Sequence, residues 1–139
     1  MEELLMLRQF IEEQKYDQAL ELVGELEAMS KEDKLNKIYS YAVILLLHLI
    51  KQAAEERITR SWEFSIYNSA KEIKRINKRR KSGGYYADED ELQEILNDAF
   101  DTAIKKAAIE AFEGQYTEKE LLLRIKPEEI KEQALLSIA

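Results

Sequence analysis

The chain has no cysteine, one proline and four glycines among its 139 residues. Without thiols there is no disulfide framework, no thiolate zinc site and no cysteine nucleophile, and the composition suits a reducing compartment. So few turn formers argue against a sheet-rich fold, which needs many reversals. Long apolar runs are missing too. The longest, Tyr41 to Ile50, falls short of the about 20 residues that cross the hydrocarbon core of a bilayer. The opening Met1-Glu2-Glu3-Leu4-Leu5 lacks the basic region and cleavage site of a signal peptide. A cytoplasmic protein with no membrane partner is expected. An excess of cations is also lacking: 21 Lys and Arg face 28 Asp and Glu, a formal charge of −7. That balance opposes general nucleic-acid affinity, because phosphate contacts draw on Lys and Arg.

What remains is 45% hydrophobic and 35% charged, the mixture of amphipathic helices joined by short turns, in a length suited to one core. Leu4, Leu7, Phe10 and Ile11 share one helical face, and Tyr16, Ala19, Leu20, Val23 and Leu26 form a second stripe after Gln14-Lys15. The spacing predicts an N-terminal helical hairpin over residues 1–29. Ser30-Lys31-Glu32-Asp33 has the form of a capping box that would start the next helix. There the stripe Leu35, Ile38, Ala42, Leu45, Leu49 and Ala53 is widened by Val43, Ile44, Leu46, Leu47 and Ile50 to nearly the whole circumference. Such a helix belongs at the centre of the fold.

Thr59-Arg60-Ser61 supplies a further cap, with Ser61 as the expected capping hydroxyl. Trp62, Ile66, Ala70, Ile73 and Ile76 then form a stripe that leads to Lys78-Arg79-Arg80-Lys81, and Ser82-Gly83-Gly84 stops it. Asp88 to Glu91 opens a helix with carboxylates at its positive end, and Leu92 to Phe112 carries its apolar face up to Gly114. Thr117 to Glu120 forms another capping box, and Pro127 suits the first turn of a last helix expected to fray toward Ala139. The sequence predicts an all-α, antiparallel up-and-down bundle of about four to six helices, three of them long. Residues 1–139 form one domain in this reading: hairpin 1–29, long-helix core 30–112, and short helices over 113–139.

His48 is the only histidine and the best single candidate for a general base. At about 100° per residue it sits beside the main stripe, near Tyr41, Ile44, Lys51 and Gln52. A base is commonly oriented by a carboxylate, which Glu25 or Glu27 could supply if the hairpin folds back. Equally, one histidine in an apolar helix is accounted for as a hydrogen-bonded packing residue. A metal site lacks a second His or a Cys. Glu91 and Glu94 make one E-x-x-E pair without the matching E-x-x-D helix of all-helical nucleotide pyrophosphatases, and a dipole-matched helix start explains them. Tyr85-Tyr86 beside Gly83-Gly84 offers a stacking platform, or a packed loop.

Charge is uneven. Residues 71–81 hold seven cations and one Glu, a local balance of +6 that leaves −13 for the rest. Lys71, Lys74, Arg75 and Lys78 project opposite the Trp62 to Ile76 stripe, as a phosphate-contacting face would. Cations also favour a helix C-terminus, and the acidic start at Asp88 could neutralise them across a turn.

Three blocks recur in order: Glu25-Leu26-Glu27-Ala28-Met29, then Leu45-Leu46-Leu47-His48-Leu49-Ile50-Lys51, then Arg60-Ser61-Trp62 leading through Ile66 to Ile73. On these blocks, over most of residues 24–112, the chain resembles an uncharacterised helical family abundant in cyanobacteria, domain of unknown function twenty-nine. The resemblance implies a compact helical bundle in a bacterial cytosol and no established activity. It directs attention to His48, Lys51, Arg60, Ser61 and Trp62, with Glu25 and Glu27, as residues that could converge where the long helix meets the next. The function expected is a non-enzymatic interaction or regulatory module. Self-association is expected through apolar surface on the N-terminal hairpin or the final helix, with no cofactor. The enzyme alternative uses His48 as base, Glu25 or Glu27 to orient it, and Lys51 or Arg60 to hold an anion. The nucleic-acid alternative uses Lys71, Lys74, Arg75 and Lys78.

Overall fold

The computed structural model describes residues 2–79, 81 and 83–139. Among them the chain forms an all-α bundle: α1 (Glu2–Glu12), α2 (Tyr16–Glu55), α3 (Arg60–Asn77), α4 (Glu89–Glu110), α5 (Glu118–Leu122) and α6 (Pro127–Ile138), with a 3₁₀ turn at Ala111–Gly114. The chain divides into two compact units, residues 1–34 and 35–139. Helix α2 contributes to both.

In residues 1–34, α1 turns into α2 through Gln14, whose φ of 60° lies in the left-handed region. The Lys15 N–H closes that turn on the Phe10 carbonyl at 2.8 Å. No residue of α1 is buried. Leu7, Phe10, Val23 and Leu26 are half-buried, and Ala19 and Leu22 are buried.

The break expected at Ser30 is absent. Helix α2 runs unbroken from Tyr16 to Glu55, and Ser30 is exposed on it. A capping box acts only where a helix begins, and residues such as Glu, Leu, Ala, Met and Lys between Glu25 and Lys34 are strong helix formers. Extending an existing helix costs far less than nucleating a new one.

In residues 35–139 the core is built on α2. Ile38, Ala42, Leu45, Leu46 and Ile50 have no solvent exposure at all. They join one apolar cluster with Ile73 of α3, with Leu96, Phe100 and Ile104 of α4, and with Leu121, Ile130 and Ile138 further on. Two expectations shift by a residue or a face: Ala54, not Ala53, is buried, and Ile44 is exposed. Tyr39 and Thr102 share a 2.8 Å hydroxyl hydrogen bond that links α2 to α4.

Side-chain caps start three of these helices. The cap of α3 is Thr59, whose hydroxyl accepts the Trp62 N–H at 3.1 Å, so Ser61 lies inside the first turn and is exposed. Asp88 and Glu91 form a reciprocal capping box on α4, as Thr117 and Glu120 do on α5. Pro127 occupies the first turn of α6. That last helix does not fray: it packs on α3 and α4 and buries Ile130, Ala134 and Ile138. The final helix is therefore part of the core, with Leu136 left exposed on its outer side.

Candidate functional site

The side chains that chemistry requires gather at one end of the 35–139 core. Lys51 lies one turn before the end of α2 and is 8% exposed, unusual for an ammonium, which almost never sits this deep without a partner. Its partners are Glu110, at the end of α4 with Oε1 3.3 Å away, and the Trp62 ring, whose centroid is 4.8 Å from Nζ. The α2–α3 turn reverses at Glu56, with φ of 51°, and carries Arg57 over the same ring at 4.8 Å. Arg57 is itself paired with Glu55 at 3.2 Å. One buried indole is thus held beside two cations, each matched by a carboxylate.

A groove of about 400 Å³ opens here, lined by Lys51, Arg57, Trp62, Glu110, Phe112 and Glu113 among others. Its far wall is the turn after α4, where Phe112 and Glu113 both adopt left-handed backbone, with φ of 50° and 58°. Such conformations cost about 1–3 kcal/mol each and persist where surrounding contacts over-determine them. The contacts are present: Phe112 packs edge-on against Tyr116 at 4.9 Å, and Arg124 lies within about 5 Å of both rings. Gly114 follows with φ of 76°, where an added Cβ would stand 3.1 Å from the Ile109 carbonyl oxygen.

The structure brings together fewer of the expected residues than the sequence implied. Lys51 and Trp62 meet. His48 is half-buried, and its Nδ1 stands 2.8 Å from the carbonyl oxygen of Ile44, one turn back in its own helix. A carbonyl only accepts, so Nδ1 carries the proton and donates, leaving Nε2 as the acceptor of the neutral ring. His48 lines neither the Lys51 groove nor two further hollows near Gln133. Arg60 is exposed in the first turn of α3. Glu25 and Glu27 are exposed and belong to the 1–34 unit, whereas His48 and Arg60 belong to 35–139. The helix start expected at Ser30, between these carboxylates and His48, is absent, since α2 is continuous from Tyr16 to Glu55.

Glu110, Arg57 and Glu55 were missed by sequence reasoning. The apolar periodicity of α2 places Lys51 on a covered side, which gave a signal that some carboxylate must meet it, but not which one.

The basic segment also differs from expectation. Helix α3 ends at Asn77, and Lys78 is already extended backbone. The buried Asn77 side chain grips Ala87 twice, donating from Nδ2 to its carbonyl at 3.1 Å and accepting its N–H at 2.8 Å. With Tyr86 N–H donating to the Asn77 carbonyl and Arg79 N–H to that of Gly84, the loop closes around Gly83 and Gly84, whose φ values are 71° and 73°. Lys78, Arg79 and Lys81 are exposed on this loop, not on the helix; Arg80 and Ser82 lie outside the described residues. Within α3 one of the cations is matched locally. Arg75 donates to Glu72 at 2.6 Å within α3, and Asp88 is engaged in capping α4. The hydrogen bond from Arg75 holds the Glu72 carboxyl below the usual carboxylate range, and reciprocally Glu72 raises the Arg75 guanidinium. Among the described residues no three His, Asp or Glu side chains cluster as a metal ligand set, and no helix is long and apolar enough to cross a membrane.

The profile of the family described as Domain of unknown function DUF29 matches residues 7–124. The chain belongs to this family. The DUF29 match reaches from α1 through α5 and contains both the Lys51 groove and the basic end of α3. No curated protein and no solved structure matches the chain. The DUF29 description assigns a family without an activity, so function has to be argued from the surfaces themselves.

Proposed function

We propose that this DUF29 protein is a non-enzymatic interaction module of the cytoplasm, and that residues 1–34 bind its protein partner. One observation carries the reading: a run of large apolar side chains of this unit stands in solvent beside its few buried ones. Leu5 is 67% and Leu20 69% exposed, Leu4, Met6 and Ile11 are exposed beside them, and α1 buries nothing. Scattered exposed leucines are ordinary, but a run of them on a helix that encloses no core of its own marks surface meant to be covered. Covering it contributes roughly 25 cal/mol per Å² of apolar area removed from water.

By contrast, the Lys51 groove has the character of a closed network. Each of its cations is already matched by a carboxylate and by Trp62. Such an arrangement fastens α2, α3 and α4 at one end and commits both of the groove's cations to partners within the chain.

The test is light scattering on the full chain beside a Leu5→Ser, Leu20→Ser double variant. The expected result is an assembly larger than one chain, alone or with a captured protein, that the double variant loses while its helix content stays unchanged. A wild type that remains monomeric and captures nothing, or a variant that assembles as well as wild type, contradicts the reading.

A further inference from the structure

The outward face of α3 has an organisation that neither its packing nor its capping requires. Its inward side buries Trp62, Ser69, Ile73 and Asn77. On the other side Phe64 and Tyr67 are 64% and 61% exposed, and Lys71 and Lys74 are exposed beyond them. Positions 64, 67, 71 and 74 step by three and four, so they form one continuous stripe, aromatic at its start and cationic at its end. Lys71 Nζ lies 5.9 Å from the Tyr67 ring, which joins the two halves of the stripe. The opposite side packs against α2 and α6, and these four outward side chains stay exposed.

Residues 1–34 present the opposite chemistry. They hold ten carboxylates and four cations, a balance of −6, against +6 over residues 71–81. The exposed leucines there are followed at helical spacing by acids: Glu12 lies seven positions after Leu5, and Glu27 seven after Leu20, both exposed. Lys71 and Lys74 lie seven positions after Phe64 and Tyr67 in the same way. Two helical turns separate the apolar from the charged part in each case. We propose that the partner of residues 1–34 is the outward face of α3 on a second copy of this chain, with leucines meeting Phe64 and Tyr67 and carboxylates meeting Lys71 and Lys74. The inference rests on the reading of residues 1–34 as the binding part and names its occupant. Charge complementarity favours a second copy over two acidic units pairing with each other, since like charges facing one another are costly. It also favours a protein over a nucleic-acid strand, which the −13 carried outside residues 71–81 would repel.

The experiment is a charge swap in the full chain. One variant carries Glu12→Lys and Glu27→Lys, and the other Lys71→Glu and Lys74→Glu; all four sites are exposed, so circular dichroism should match wild type. Light scattering over a concentration series should show wild-type assembly that weakens with salt. Each variant alone should lose association by about a hundredfold, because the reversed side chains then face like charges at the proposed contact. An equimolar mixture of the two should regain it, since the reversed surfaces complement each other. A mixture that stays monomeric while wild type assembles overturns the proposal. So does assembly unaffected by reversal at Lys71 and Lys74; if the Leu5→Ser, Leu20→Ser variant still abolishes that assembly, residues 1–34 remain the binding part with another occupant. A monomeric wild type that binds single-stranded DNA through Lys71 and Lys74 overturns the second-copy assignment in favour of nucleic acid.

Discussion

In residues 35–139 helix α2 withdraws Ile38, Leu45, Leu46 and Ile50 wholly from solvent, whereas in residues 1–34 the same helix buries Ala19 and Leu22 and leaves Leu20 69% exposed. The helical backbone is alike in the two stretches, but the side chains are not: residues 16–34 set one apolar stripe among charged residues, whereas residues 35–54 are apolar around nearly the whole circumference. The supply of neighbours differs as well. The second unit provides α3, α4 and α6 around α2, and the first provides α1, none of whose own residues is buried. Helix formation and core formation are therefore separate achievements in this chain: propensity extends α2 through both units, and the large apolar cluster is built in residues 35–139.

The sharpest way to break that comparison is to truncate a leucine in each unit. Leu46→Ala should destabilise by about 2–5 kcal/mol, since Leu46 is wholly enclosed and its loss leaves a cavity. Leu5→Ala should change the unfolding free energy by about 0.5 kcal/mol or less in dilute solution, as a surface substitution does. Urea midpoints read both, and equal effects would erase the distinction. A smaller loss, about 1–3 kcal/mol, is expected for Asn77→Ala, which leaves the buried Ala87 amide and carbonyl without their side-chain partner. Thr59→Ala should cost about 1 kcal/mol through the lost cap of α3, with Ser61→Ala near neutral as its control.

The smallest effect concerns acid. The folded-state pKa of Glu72 is lowered, chiefly by the Arg75 hydrogen bond. The associated stability is present above the ordinary carboxylate value and is lost as pH falls through the folded value. Because the pair is exposed, Glu72→Gln should only slightly reduce the slope of unfolding midpoint against pH between about pH 6 and pH 3. A large change would mean that the pair is more enclosed than its surroundings indicate.

Much of the fold was legible in the sequence because periodicity and caps are local. The apolar circumference around Leu45 placed the central helix, and Asp88, Thr117 and Pro127 marked the starts of α4, α5 and α6. Ser30 misled because a capping box is only a local option, which a continuous run of helix formers overrides. The α3 terminus was misplaced by four residues. The Asn77 clamp that ends it depends on Ala87, ten positions away and across a loop. The same limit applies to the site. Lys51 could be located on a covered side of α2, but Glu110 is 59 residues distant, and no spacing rule joins such a pair. Glu25 and Glu27 were joined to His48 on the expectation of a new helix starting at Ser30, which the unbroken α2 does not make, and Arg60 was joined to it through the resemblance.

Amide hydrogen exchange at low protein concentration tests the contrast between the units most directly, because protection reports the free energy of local opening. The account predicts strong protection over residues 38–54 and weak protection over residues 2–29, with the latter rising as assembly is driven by concentration. Equal protection of both stretches in dilute monomer, unchanged by concentration, would contradict it.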